Sequence, residues 1–170
     1  MRVTSSVLVG LCSLASIFVS GPARSAEPGA VVHDVGYVLV SVEAGSWTRG
    51  GEAVGDADEA PGHAVTVTRP FQLGATEVTQ ALYERVMGSN PSAGEGRNWR
   101  GSTSGGRCDA HGVGPAFPVT CVSWEQALLF CNRLSELEGL TPAYKRGDGV
   151  WWWDASASGY RLPTEAEWEL

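Results

Sequence analysis

The most strongly patterned stretch of the chain runs from Ser123 to Pro142, and it sets the scale of what the rest can build. Ser123-Trp124-Glu125-Gln126 is a capping box: a serine at the cap and a glutamine three residues on satisfy the first free amides of a helix. Trp124, Ala127, Leu128, Cys131 and Leu134 then recur on one helical face, and Gly139 with Pro142 stops the pattern. A second helix is predicted from a Thr79 cap through Gln80, Leu82, Tyr83, Val86 and Met87. It is closed by Gly88 and followed by Asn90-Pro91. A second capping box, Thr164-Glu165-Ala166-Glu167, predicts a third helix whose Trp168 enters the core. The other apolar residues fall in short extended runs. With 22 glycines and seven tryptophans, the chain reads as a loop-rich fold whose core is anchored by a few large rings.

Among the extended runs, Tyr37–Val42 reads as a buried strand, turned by Glu43-Ala44-Gly45 into a second short piece at Ser46-Trp47. The two are expected to form a hairpin. His63–Thr68 alternates, with His63, Val65 and Val67 on one side and Ala64, Thr66 and Thr68 on the other, and Pro70–Gly74 continues extended. Between these strands, Gly50 to Gly62 gathers Glu52, Asp56, Asp58 and Glu59 without periodicity. It lacks the ligand spacing of an EF-hand and reads as a solvated acidic loop. Ser89 to Pro118 is an irregular segment of a length that is usually functional or disordered.

The amino terminus reads as an address. Met1-Arg2 is a short positive start, Val7 to Val19 is apolar, and Ser20–Ala26 supplies small residues for cleavage after Gly21, Ser25 or Ala26. The apolar run is shorter than the roughly 20 residues of a spanning helix. Residues 1–26 are therefore expected to be a secretory signal peptide, 27–36 a linker and 37–170 the folded part. The product is expected to be exported to the periplasm or secreted, with no membrane association after cleavage. Leu11 before Cys12 disfavours lipidation. The cysteines that remain, Cys108, Cys121 and Cys131, then sit in an oxidising compartment. Cys131 lies on the apolar helix face and reads as a core thiol, whereas Cys108 and Cys121 bracket a loop, so these two are expected to form a disulfide. No cysteine or histidine pair has zinc-ligand spacing, and His33, His63 and His111 are scattered. Twelve Lys+Arg against 19 Asp+Glu give a net charge of −7, which excludes a basic nucleic-acid footprint.

Several blocks, in order, resemble the formylglycine-generating enzyme family, also called the sulfatase-modifying factor domain. Phe71–Gln80 resembles its strand-to-helix entry ending in Glu-Val-Thr, and Met87-Gly88-Ser89-Asn90-Pro91-Ser92 follows as in the family. Pro118–Ala127 resembles its Pro-Val-x-x-Val-Ser-Trp-x-x-Ala, continued by Phe130–Ser135. Gly159–Glu169, which contains Arg-Leu-Pro-Thr-Glu-Ala-Glu-Trp-Glu, is the most diagnostic block. Arg49-Gly50 departs from the family's Met-Gly. The resemblance implies a C-type-lectin-like α+β fold, loop-rich with little regular secondary structure and incomplete at the C-terminus. In the enzymes of the family it implies a copper-binding cysteine pair, which oxidises a client cysteine to formylglycine, and calcium ligands; both lie downstream of the last block. Cys121 and Cys131 stand too far upstream to be that pair. On this reading the chain as given holds no catalytic, cofactor-binding or metal residue, and copper and calcium belong only to a completed form.

Three functions stay open on the sequence. One is an exported fragment whose complete form oxidises a cysteine in a client protein or peptide. Another is a non-catalytic binding module of the same fold, and the third is a truncated fragment without function. Uncovered apolar surface would favour self-association. Among single residues, Glu77 is expected to fix loop backbone by hydrogen bonding as a buried carboxylate, and Arg161 to pair with Glu165 or Glu167 and pin the last helix. Trp151-Trp152-Trp153 reads as packing, with an aromatic platform for a ligand as the alternative.

Overall fold

The computed structural model describes residues 18–19, 31–32, 36–49, 62–93, 108–109 and 112–168. Nine strands and three helices are built from them. The strands are β1 (Phe18–Val19), β2 (Val31–Val32), β3 (Val38–Val42), β4 (Gly45–Arg49), β5 (His63–Val67), β6 (Phe71–Gly74), β7 (Tyr144–Gly147), β8 (Val150–Trp153) and β9 (Tyr160–Arg161). The helices are α1 (Gln80–Met87), α2 (Trp124–Leu137) and α3 (Glu165–Trp168). Five strands make an antiparallel sheet in the order β2-β3-β6-β1-β9, while β4-β5 and β7-β8 are separate two-stranded ribbons.

The helix signals act locally, and the structure follows them. Thr79 caps α1 by accepting the Leu82 amide, and Gly88 closes it in the left-handed conformation. At α2 both bonds of the capping box form, Gln126 N–H to Ser123 Oγ at 3.2 Å and Ser123 N–H to Gln126 Oε1 at 2.8 Å. The buried face of α2 is Ala127, Leu128, Phe130, Cys131 and Leu134, and α1 packs on it with Tyr83 stacked on Phe130 at 5.3 Å between ring centroids. Leu39, Val78, Val119 and Tyr160 complete this core.

The structure departs from the expectations in three places. β3 and β4 are neighbours in sequence but do not form a hairpin. β3 pairs with β6, Val40 opposite Leu73, and β4 pairs with β5, Trp47 opposite Val65. The two-residue link therefore carries the chain from one sheet to another. Trp124 is 41% exposed and Trp168 is 55% exposed, so neither ring enters the core; Trp124 is the first residue of α2, and α3, which ends at Trp168, buries none of its residues. Glu77 is exposed and does not act as a buried carboxylate.

Three polar contacts lock the body together. The Asn132 amide exchanges two bonds with the Tyr144 backbone, at 2.7 and 3.0 Å, and fixes β7 to α2. Ser135 Oγ donates to the Cys131 carbonyl and accepts the Tyr160 amide at 2.8 Å, which ties β9 to the same helix. Gln80, 1% exposed, donates to the carbonyls of Gly112 and Pro118 and accepts from Asn90 Nδ2 and the Gly114 amide, all within 3.2 Å. These four bonds use the full capacity of one buried amide, two donors and two acceptor lone pairs. They hold the segment before α2, where Cys108 and Cys121 are joined in a disulfide.

The acidic loop at Gly50–Pro61, together with His33 and His111, lies outside the described residues. So do residues 1–17 and 20–30, the bulk of the leader and linker; Phe18–Val19 from the same apolar run stands between β6 and β9 in the sheet. No helix among the described residues is long and apolar enough to cross a membrane.

Candidate functional site

A cleft of about 660 Å³ separates the β5 to β6 connection from the end of β8, the turn after it, β9 and α3. One wall is the extended backbone of Val65–Phe71. The facing wall presents Trp153, Ala155, Ser156 and Ala157, and the floor is Arg161 with Glu167.

Each wall has a local cause. β7 and β8 are joined through Asp148 and Gly149, both with positive φ (51° and 78°), as a two-residue hairpin turn of the primed kind requires. Alternation along β8 then buries Trp151, exposes Trp152 and leaves Trp153 half-buried against the cleft. The three consecutive rings therefore divide: Trp151 belongs to the core, and Trp153 lines the cleft. Beyond Trp153, Asp154 shapes the turn by accepting from the Ser156 amide at 3.0 Å and the Ser156 hydroxyl at 2.6 Å, with Lys145 Nζ at 2.9 Å. These hydrogen bonds, Lys145 first, hold its carboxyl well below the usual carboxylate range.

The floor is an ion pair in bidentate geometry. Arg161 donates from Nη1 to Glu167 Oε2 at 2.7 Å and from Nη2 to Oε1 at 2.6 Å, and the side chains are only 7% and 12% exposed. The Thr164 amide and hydroxyl also donate to Glu167 Oε2, at 2.8 and 2.9 Å, so the carboxylate caps α3 and binds Arg161 at once. Burial alone would raise the Glu167 pKa, but the Arg161 and Thr164 bonds outweigh it and hold it below its ordinary value. The Arg161 guanidinium also lies 5.2 Å from the centre of the Trp153 ring, in cation–π range. Glu165 turns the other way and pairs with Arg49 at 2.5 Å, linking the β4-β5 ribbon to α3. Arg49, the departure from the family pattern, thus makes a cross-element ion pair.

The described cysteines do not fit a copper-binding thiolate pair. Cys108 and Cys121 are spent in a disulfide, and Cys131 is fully buried, with burial pushing its thiol far above the usual range. Its carbonyl is engaged by Ser135, and its side chain belongs to the same buried core as Leu128, Leu134 and Tyr144. Among the described residues no three His, Cys, Asp or Glu side chains converge to hold a metal ion. His63 is exposed on β5. The sequence expectations reach Arg161, Glu167 and Trp153. They do not reach the facing wall at Val65–Pro70, because no local pattern announces that a strand edge will stand opposite residues nearly a hundred positions later.

Comparison with known proteins agrees with this architecture. Residues 29–170 match the family described as the sulfatase-modifying factor enzyme 1-like domain. The chain is 32% identical over 146 residues to a protein of Paenibacillus barcinonensis named chaperone protein LppX, an alignment that takes in 77% of this chain and 43% of that protein. Among solved structures it resembles Treponema denticola variable protein 1, with 30% identity and a TM-score of 0.62, over 84% of this chain and 56% of the other. The chain thus spans about half the length of these relatives. With the family model covering most of the chain and a mixed fold of short antiparallel ribbons around few helices, the protein belongs to the sulfatase-modifying factor family and has its loop-rich, C-type-lectin-like α+β fold.

Proposed function

We propose that this chain is an exported recognition domain that holds a segment of a client polypeptide in the cleft between β5 and the β8–α3 face. The observation that carries the reading is the composition of the cleft. An open strand edge faces an apolar and aromatic wall, and the two ionic groups of the floor neutralise each other. Such a surface offers hydrophobic contact and hydrogen bonding to a polypeptide. The name of the Paenibacillus relative, a chaperone protein, supports a polypeptide client. The disulfide between Cys108 and Cys121 supports an oxidising compartment, and with it export.

The test is fluorescence anisotropy of labelled α-lactalbumin, reduced and carboxymethylated so that it stays unfolded, titrated with the purified chain. Saturable binding of the unfolded form and none of the native form is expected. Equal binding of both, or of neither, would refute the reading.

A second reading rests on the family match over residues 29–170. In it, the whole protein oxidises a client cysteine to formylglycine, using thiolates outside the described residues, and the cleft serves as the client's docking surface. Hydrazide labelling of an aldehyde formed on a cysteine-containing peptide, after incubation with the protein, copper and oxygen, separates the two readings.

A further inference from the structure

We infer that the client segment binds as an added third strand on the outer edge of β5, and that Arg69 selects segments carrying an acidic side chain. This rests on the polypeptide-binding reading above and names its mode and its specificity.

β5 belongs to a ribbon of two strands, and its strand partner among the described residues is β4. In such a pair, alternate residues of each strand direct their N–H and C=O groups away from the partner. Val65–Thr68 line the cleft, and beyond the β4 ladder their backbone makes no hydrogen bond among the described residues. A row of open donors and acceptors at strand spacing is complemented by the backbone of another extended chain. Four residues at about 3.3 Å each give an edge of roughly 13 Å, enough for a segment of about four residues. Pro70 has no amide to donate and ends the edge.

Side-chain chemistry follows from the facing surface. Trp153, Ala155, Ala157 and Ala166 accept apolar side chains from one face of the added strand. Arg161 and Glu167 cancel, which leaves Arg69 at the cleft as a cation that forms no ion pair with any other described residue. The chain as a whole carries −7 and would repel an acidic segment at long range. That repulsion is screened beyond roughly 8 Å at physiological salt, whereas Arg69 acts at contact.

The probe is an acetylated, amidated heptapeptide of alternating threonine and valine with a central glutamate, labelled for anisotropy and titrated with the intact chain. Its central-lysine counterpart and a version N-methylated at alternate residues serve as comparisons. The glutamate peptide is expected to bind about threefold tighter than the lysine peptide, the range of a partly exposed ion pair. N-methylation, which removes the edge bonds, should weaken binding by about tenfold. Arg69→Glu should reverse the order of the two peptides, and Arg69→Gln, the variant to use if the reversal does not fold, should abolish it. If unfolded α-lactalbumin binds while the methylated peptide binds equally well, or the charge preference survives Arg69→Gln, strand addition with Arg69 selection is wrong and the polypeptide-binding reading stands. If neither α-lactalbumin nor any peptide binds, both fall.

Discussion

Replacing Glu167 with glutamine should cost more stability than any other single polar substitution at the cleft. The carboxylate receives four hydrogen bonds of 2.6 to 2.9 Å, two from Arg161 and two from Thr164. A glutamine keeps one acceptor oxygen but turns an NH₂ group toward the guanidinium, so donor meets donor and Arg161 loses its bidentate carboxylate in a site where it is only 7% exposed. Removing one partner of a buried pair costs about 3–5 kcal/mol; because this pair borders an open cleft, the lower end, about 3 kcal/mol, is expected. Arg161→Met should cost a similar amount. The double variant Arg161→Met/Glu167→Gln should fall short of the sum of the singles by at least about 1.5 kcal/mol, since no buried charge is left facing a mismatched partner. pH gives a separate handle. The folded pKa of Glu167 is depressed, so its stabilising contribution is fully present above the ordinary carboxylate value and is lost as pH falls through the folded pKa. The difference between wild type and Glu167→Gln should therefore be full at pH 7 and shrink in the acid range below 4.5. Urea unfolding followed by tryptophan fluorescence reads all four proteins. A loss under about 1 kcal/mol, strict additivity, or a difference independent of pH would show that the pair does not organise the floor.

Further outcomes follow from other parts of the fold. Gln80→Leu would strand the Gly112 and Pro118 carbonyls and the Gly114 amide; a loss of about 3 kcal/mol is expected in the same unfolding assay. The Cys108–Cys121 bridge closes a loop of sequence separation 13, worth about 3 kcal/mol by loop entropy, so the double serine variant should show that loss and reductant should have no further effect on it. Cys131 should resist alkylation in the native chain and react only on unfolding, read by mass spectrometry, because its sulfur is buried and its thiolate disfavoured. A chain starting at Glu27 lacks Phe18–Val19 and so the strand between β6 and β9. Its urea midpoint should be lower, by a few ladder hydrogen bonds of about 1 kcal/mol each, and an unchanged midpoint would show that β6 and β9 close without it.

What the sequence reveals divides by range. The caps at Thr79 and Ser123, the stop at Gly88 and the core face of α2 are written within a few residues of one another, and they read correctly. The pairing of Arg161 with Glu167 is legible for the same reason, six positions apart with a capping box between. The partner of β3 is not, because Phe71–Gly74 lies some thirty residues on and nothing in Val38–Val42 distinguishes it from the adjacent β4. Trp168 and Trp124 mislead because helical periodicity marks the buried stripe but not where the packing beneath it ends. Asp148-Gly149 is a strong hairpin signal that the sequence expectations omit, and with it the reason Trp153 rather than Trp152 meets the cleft. The cleft itself joins residues 65–71 to residues 153–167. Only tertiary structure brings them together.

The central claim is that an extended polypeptide occupies the β5 edge, and amide hydrogen exchange tests it most directly. With unfolded carboxymethylated α-lactalbumin present, the amides of Val65–Thr68 that face the cleft should slow, while those of α1 remain as in the free chain. Slowing elsewhere with no change at Val65–Thr68 would contradict the account.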